Sequence, residues 1–133
     1  MLNKKKLPVF QVSGTPYEIG FAHGKLAREN ILVTIDTYSK LFKAMSDIDW
    51  PDAQKMARQF IGLIEEYEPD YLEEIRGIAE GAGVKFEEIL ALNVRSELAF
   101  QGKVPVSDGC TSLGIAEEKA VNGECLMGQS WDW

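Results

Sequence analysis

The apolar residues change character at Cys110, and that change limits the folds open to the chain. Ahead of it they recur every three or four residues, as on helices. Behind it the runs 111–116 and 124–131 read as strands, with the strong hairpin dipeptide Asn122-Gly123 between them. A chain that strings helices first and strands last is expected to be α+β. A short opening strand, about four helices and a closing β-hairpin are expected. The expected division is a helical arm over 1–109 and a β-rich segment over 110–133.

Pro8 to Ser13 reads as the opening strand, ended by Gly14. Thr15 is placed to cap a helix, Pro16 suits its first position, and Glu18 completes a capping box. This helix is expected to reach about Met45, with Ile19, Ala22, Leu26, Val33 and Tyr38 on one stripe. Gly20 and Gly24, four apart, read as points where another element approaches closely. Their spacing is not that of a phosphate loop. His23 between them reads as a structural residue.

Pro51 opens a second helix, with Met56, Phe60, Leu63, Ile64 and Tyr67 at helical spacing. Pro69 ends it and begins a third, buried through Tyr71, Leu72, Ile75, Ile78 and Ala79 and stopped by Gly81 and Gly83. Phe86 to Phe100 reads as a fourth, with Ile89, Leu90, Val94 and Leu98 inward. Arg95 and Glu97 interrupt it with charge; they read either as simply exposed or, if buried, as a pair forming a brace. The acidic cluster from Glu65 to Glu74 lacks the spacing of a calcium loop and reads as a solvated face. Residues 101–109 read as a loop.

With 133 residues, 45% of them hydrophobic, the chain is long enough for one ordinary core. A net charge of -7 argues against nucleic acid or an anionic membrane as main partner. No apolar run approaches the length of a membrane span, and the residues after Lys4-Lys5-Lys6 do not form a signal-peptide core. A cytoplasmic location is expected. Cys110 and Cys125 do not make a disulfide framework, and with His23 alone beside them they offer no zinc set. Cys125 reads as a small buried hydrophobe.

The stretch Asp108-Gly109-Cys110-Thr111-Ser112 has a more specific chemistry. A thiol can attack the carbonyl of the residue before it, and glycine there tolerates the strained backbone this demands. Hydrolysis of the thioester would leave Cys110 first in a new chain. Its α-amine, with a pKa of roughly 7.7–8.0, could then take the thiol's proton. Taken alone, the pentapeptide reads as an ordinary turn into a strand.

Four segments together resemble the acyl-coenzyme A:6-aminopenicillanic acid acyltransferase family, also called isopenicillin N acyltransferases. They are Gly14-Thr15-Pro16-Tyr17-Glu18-Ile19-Gly20 with His23-Gly24, Ala91-Leu92-Asn93-Val94-Arg95-Ser96-Glu97, Asp108 to Ser112, and Gly128-Gln129-Ser130-Trp131-Asp132-Trp133. The resemblance implies an N-terminal-nucleophile hydrolase with an αββα sandwich. It implies an inactive precursor cut between Gly109 and Cys110, with Cys110 as the acyl-carrying nucleophile and Asp132 holding it in place. Asp108, Thr111, Arg95 and Glu97 would support the site. Amides or acyl thioesters would be substrates, water or an amine the acceptor, and no cofactor would be needed.

Two departures stand out. Ser130 replaces the asparagine of the family's usual Gly-Gln-Asn-Trp-Asp, and the family's chains continue well beyond the position of Trp133. The remainder of the catalytic chain is therefore an expected partner, and this chain alone is expected to be inactive. A purely structural alternative remains: a non-catalytic helical module. Bile-salt hydrolases and acid-ceramidase-like enzymes share the chemistry, although the opening from Gly14 to Gly20 favours the acyltransferases. Trp131-Asp132-Trp133 reads as an unpaired strand through which the chain is expected to self-associate.

A two-residue turn at Asn122-Gly123 would pair Val121 with Glu124 and set Asp132 opposite Leu113. Asp132 would then face away from Cys110. A bulge at Gly114 or Gly128, or a longer loop, is expected if Asp132 serves the nucleophile.

Overall fold

The structure, a computed structural model, describes residues 8–100 and 110–130. It divides into two compact units, Met1–Gln101 and Gly102–Trp133. Its described residues mix helix with one antiparallel pair of strands, as α+β requires.

The first unit is helical: α1 (Pro16–Leu26), α2 (Arg28–Ser46), α3 (Trp50–Ala57), α4 (Ile61–Tyr67), α5 (Asp70–Ala82), α6 (Phe86–Asn93) and α7 (Arg95–Ala99), with a 3₁₀ turn at Arg58–Phe60. The capping box at the start of α1 is formed. The Thr15 hydroxyl accepts from the Glu18 N–H at 3.3 Å, and the Glu18 carboxylate accepts from the Thr15 N–H at 2.8 Å. No strand forms over residues 8–13, because nothing among the described residues pairs with them.

The long first helix is two helices. Ala27, at φ -100 and ψ 13, departs from helical backbone while its N–H still bonds the His23 carbonyl. The halves have different neighbours: α1 lies chiefly on α5, whereas α2 also meets α3, α6 and α7. The expected stripe is corrected accordingly. Leu26 and Val33 are exposed, and Ala27, Ile31 and Phe42 are buried instead. The second helix is interrupted by the 3₁₀ turn, and its Leu63 and Tyr67 are exposed. The fourth is divided at Val94, at φ -101 and ψ 27.

Backbone meets backbone between α1 and α5. A Cβ at Gly20 would lie 2.1 Å from the Glu74 carbonyl oxygen, and one at Gly24 2.2 Å from that of Ile78. From the other side, a Cβ at Gly77 or Gly81 would lie 2.2 Å from the carbonyl oxygen of Tyr17 or Phe21. Only glycine permits this separation. Gly20 and Gly24 are therefore the packing devices expected, and Gly81 belongs to the same contact instead of stopping the helix. The stop is Gly83, left-handed at φ 69, whose N–H bonds the carbonyls closing α5.

Phe42, Leu90 and Leu98 are the largest fully buried side chains, joined in the core by Ala53 and Ala57. Phe42 stacks on Trp50 with ring centroids 6.0 Å apart. The Trp50 indole N–H donates to Glu88 at 3.0 Å, and the Ser46 hydroxyl donates to the Ala99 carbonyl at 2.8 Å. These bonds tie the α2–α3 corner to α6 and α7.

The second unit holds β1 (Ser112–Ile115) and β2 (Leu126–Gln129), antiparallel, with Ser112 opposite Gln129 and Ile115 opposite Leu126. The connection is longer than two residues. A 3₁₀ turn at Glu117–Lys119 precedes a turn in which the Gly123 N–H bonds the Ala120 carbonyl at 3.2 Å. The Asn122 side chain accepts from the Glu124 N–H at 3.3 Å, and Gly123 has φ 70. Asn122-Gly123 thus makes a turn, but Val121 and Glu124 are not a strand pair. The register moves by an even number of residues, so each strand keeps the parity a two-residue turn would give. No bulge occurs within the described pairs at Gly114 and Gly128.

Candidate active site

Cys110 and Thr111 lie directly before β1, and Cys110 is exposed. Thr111 is held from across the hairpin. Its carbonyl accepts from the Ser130 N–H at 2.9 Å, and its N–H donates to the Ser130 hydroxyl oxygen at 3.3 Å. The segment that leaves Cys110 and the segment that leads toward Asp132 in sequence are therefore bonded through one residue. Gly109, Asp108 and Asp132 lie outside the described residues.

Arg95 and Glu97 belong to α7 in the first unit. Both are exposed, so burial does not force them to pair, and no ion pair joins them. Arg95 instead donates to the Leu92 carbonyl at 3.1 Å, with its guanidinium carbon 5.9 Å from the Tyr38 ring centre. It braces the α6–α7 break against α2.

Ser130 was not distinguished by sequence reasoning except as a departure from a family pattern. Its partner is 19 residues away, so the pairing becomes visible only with the register. Cys125, expected to be buried, is exposed just before β2, because this part of the connection does not join the ladder. His23 is exposed on α1. Among the described residues no group of three or more His, Cys, Asp or Glu side chains could hold a metal ion, and no helix is long and apolar enough to cross a membrane. An open groove of about 430 Å³ lies between α4, α5 and α6, lined by Ile64, Tyr71, Ile75 and Ile78 with Glu74 and Asn93 as polar groups.

Over 120 residues, 90% of its length, the chain is 38% identical to the acyl-coenzyme A:6-aminopenicillanic-acid-acyltransferase 40 kDa form of Emericella nidulans. The chain belongs to a penicillin acyltransferase-like family. A second relative of this family member is the beta-alanyl-dopamine/carcinine hydrolase of Drosophila melanogaster, 26% identical over 98 residues, which are 68% of this chain and 24% of the relative. An uncharacterised protein of Archaeoglobus fulgidus is 25% identical over 143 residues, covering 92% of this chain and 24% of its own length. No protein-family model matches the chain. The match to the Emericella protein covers 32% of that relative, so this penicillin acyltransferase-like chain spans about a third of its length. Two of its relatives are thus an acyltransferase and a hydrolase, which relates the chain to acyl-transferring and hydrolytic enzymes.

Proposed function

We propose that this family member carries the self-cleaving nucleophile of a cysteine amide hydrolase or acyltransferase of the N-terminal-nucleophile class. The Cys110 sulfur attacks the Gly109 carbonyl. The carbon–sulfur bond forms, the peptide carbon–nitrogen bond breaks, and the nitrogen takes a proton to become the α-amine of Cys110. Water then hydrolyses the thioester, leaving a carboxylate on Gly109 and a thiol on a new N-terminus. In turnover the α-amine takes the thiol proton and the sulfur attacks an amide or acyl thioester. The amine or thiol departs with a proton, and water or an acceptor amine releases the acyl group from Cys110.

Asp132 is proposed to hold the nucleophilic residue, while Asp108 and Thr111 shape the cleavage loop. Arg95 and Glu97 are assigned to the supporting arm. The second unit is read as the beginning of an αββα sandwich. The remaining strands and the oxyanion donor are assigned to sequence that the longer relatives have and this chain does not share with them. Such a donor is typically worth ~2.7–4 kcal/mol of transition-state stabilisation.

The observation that supports this reading most is the 38% identity to an acyltransferase along nearly the whole chain. The exposed position of Cys110 before β1 is compatible with it. Intact mass and N-terminal sequencing of the full-length protein test it. The wild type should give two chains, the second starting at Cys110, and Cys110→Ala should stay whole. A wild type that remains uncut, like the variant, overturns the reading.

A further inference from the structure

We propose that Ser130 is a positioning residue that sets the reactivity of the Cys110 thiol, an inference that rests on reading Cys110 as the nucleophile. In an antiparallel ladder, a hydrogen-bonded pair exchanges two backbone bonds. The described pair nearest Cys110 departs from that rule. The Ser130 N–H reaches the Thr111 carbonyl at 2.9 Å, but the return bond from the Thr111 N–H ends on the Ser130 hydroxyl at 3.3 Å. A side chain therefore completes this rung.

The difference matters because of what adjoins that rung. Thr111 follows Cys110 directly, and Ser130 precedes Asp132 by two positions. Backbone pairing alone would be indifferent to the residue at 130. A rung closed by a hydroxyl is not: without an oxygen one bond from Cβ, the Thr111 N–H loses this acceptor. Of the two described bonds that hold Thr111 across the hairpin, one is then left. The rung is exposed and lies within the second unit, so its loss should disturb the chain around Cys110 more than the helical unit.

The matched variants are Ser130→Thr and Ser130→Val. Both are β-branched and suit a strand, and they differ in the hydroxyl. Cys125, also exposed and in the same unit, is an internal reference for thiol reactivity. Iodoacetamide labelling of the chain from pH 6 to 9, read by peptide mass spectrometry, gives the ratio of Cys110 to Cys125 alkylation. Ser130→Thr should keep the wild-type ratio and pH midpoint. Ser130→Val should lower the ratio and shift the midpoint, since labelling follows the thiolate fraction and its access. Equal ratios and midpoints in the two variants overturn the proposal. In the full-length protein, self-cleavage should likewise slow in Ser130→Val and persist in Ser130→Thr; equal rates overturn it there. If the wild type does not cleave at all, the nucleophile reading fails, while the labelling ratio still decides whether Ser130 governs the thiol.

Discussion

Thr15 and Glu18 show how much a few adjacent atoms can determine. Bonds from the Thr15 backbone N–H and then its hydroxyl hold the Glu18 carboxyl below its usual pKa of 4.5. A group depressed on folding stabilises fully above its unfolded pKa and loses that contribution as pH falls through the lower folded value. Helicity at α1 should therefore be constant above about pH 4.5 and decline below it. Far-UV circular dichroism should show this part of the acid transition flattened in Glu18→Gln. Thr15→Ala should reduce unfolding stability by about 1 kcal/mol in urea titrations. The cap was legible because its groups lie within three residues of one another. The Ser130 bond was not, since it depends on a register that Asn122-Gly123 alone would have set four residues differently. Arg95 and Glu97 were legible as charges breaking an apolar pattern, exposed or else paired, and they are exposed; the break at Val94 was not legible, because it carries no glycine or proline.

At the scale of elements, the glycines divide into two kinds that substitution can separate. Gly24→Ala would place a Cβ 2.2 Å from the Ile78 carbonyl oxygen, against backbone that has no rotamer to yield. It should destabilise by on the order of 1–3 kcal/mol, as overpacking does. Gly62, within α4, has nothing within 4 Å of its added Cβ. Gly62→Ala should stabilise by about 0.5–1 kcal/mol, because alanine loses less backbone freedom in a helix. Thermal unfolding of the two variants checks both signs. Gly20 and Gly24 announced a close neighbour through their spacing alone. Gly77 and Gly81 did not identify themselves as that neighbour, because Gly81 next to Gly83 resembles a helix terminus. The break at Ala27 was illegible for the same reason as Val94: what divides the helix is a change of packing partner, not a local signal.

For the whole molecule, the order of helices before strands was enough to specify α+β, while the sheet's extent was beyond reach of the period. A two-stranded hairpin is marginal in water by itself. In this hairpin Leu113 is 59% exposed and Met127 88% exposed. The isolated chain should therefore self-associate through the hairpin, and Met127→Lys should shift it toward monomer in light scattering. A wild-type chain that stays monomeric at high concentration would contradict this. The helical unit holds the buried aromatic and leucine core and should unfold cooperatively without help from the strands. The contact between α1 and α5 has a consequence for how the protein is made. The only fully buried residues of α1 are Gly20 and Gly24, so this 11-residue helix has almost no apolar anchor of its own, and isolated helices of that length are marginal. It leaves the ribosome before α5 does, and its docking surface is not complete until residue 82 has been added. The earlier partner of this contact must wait for the later one.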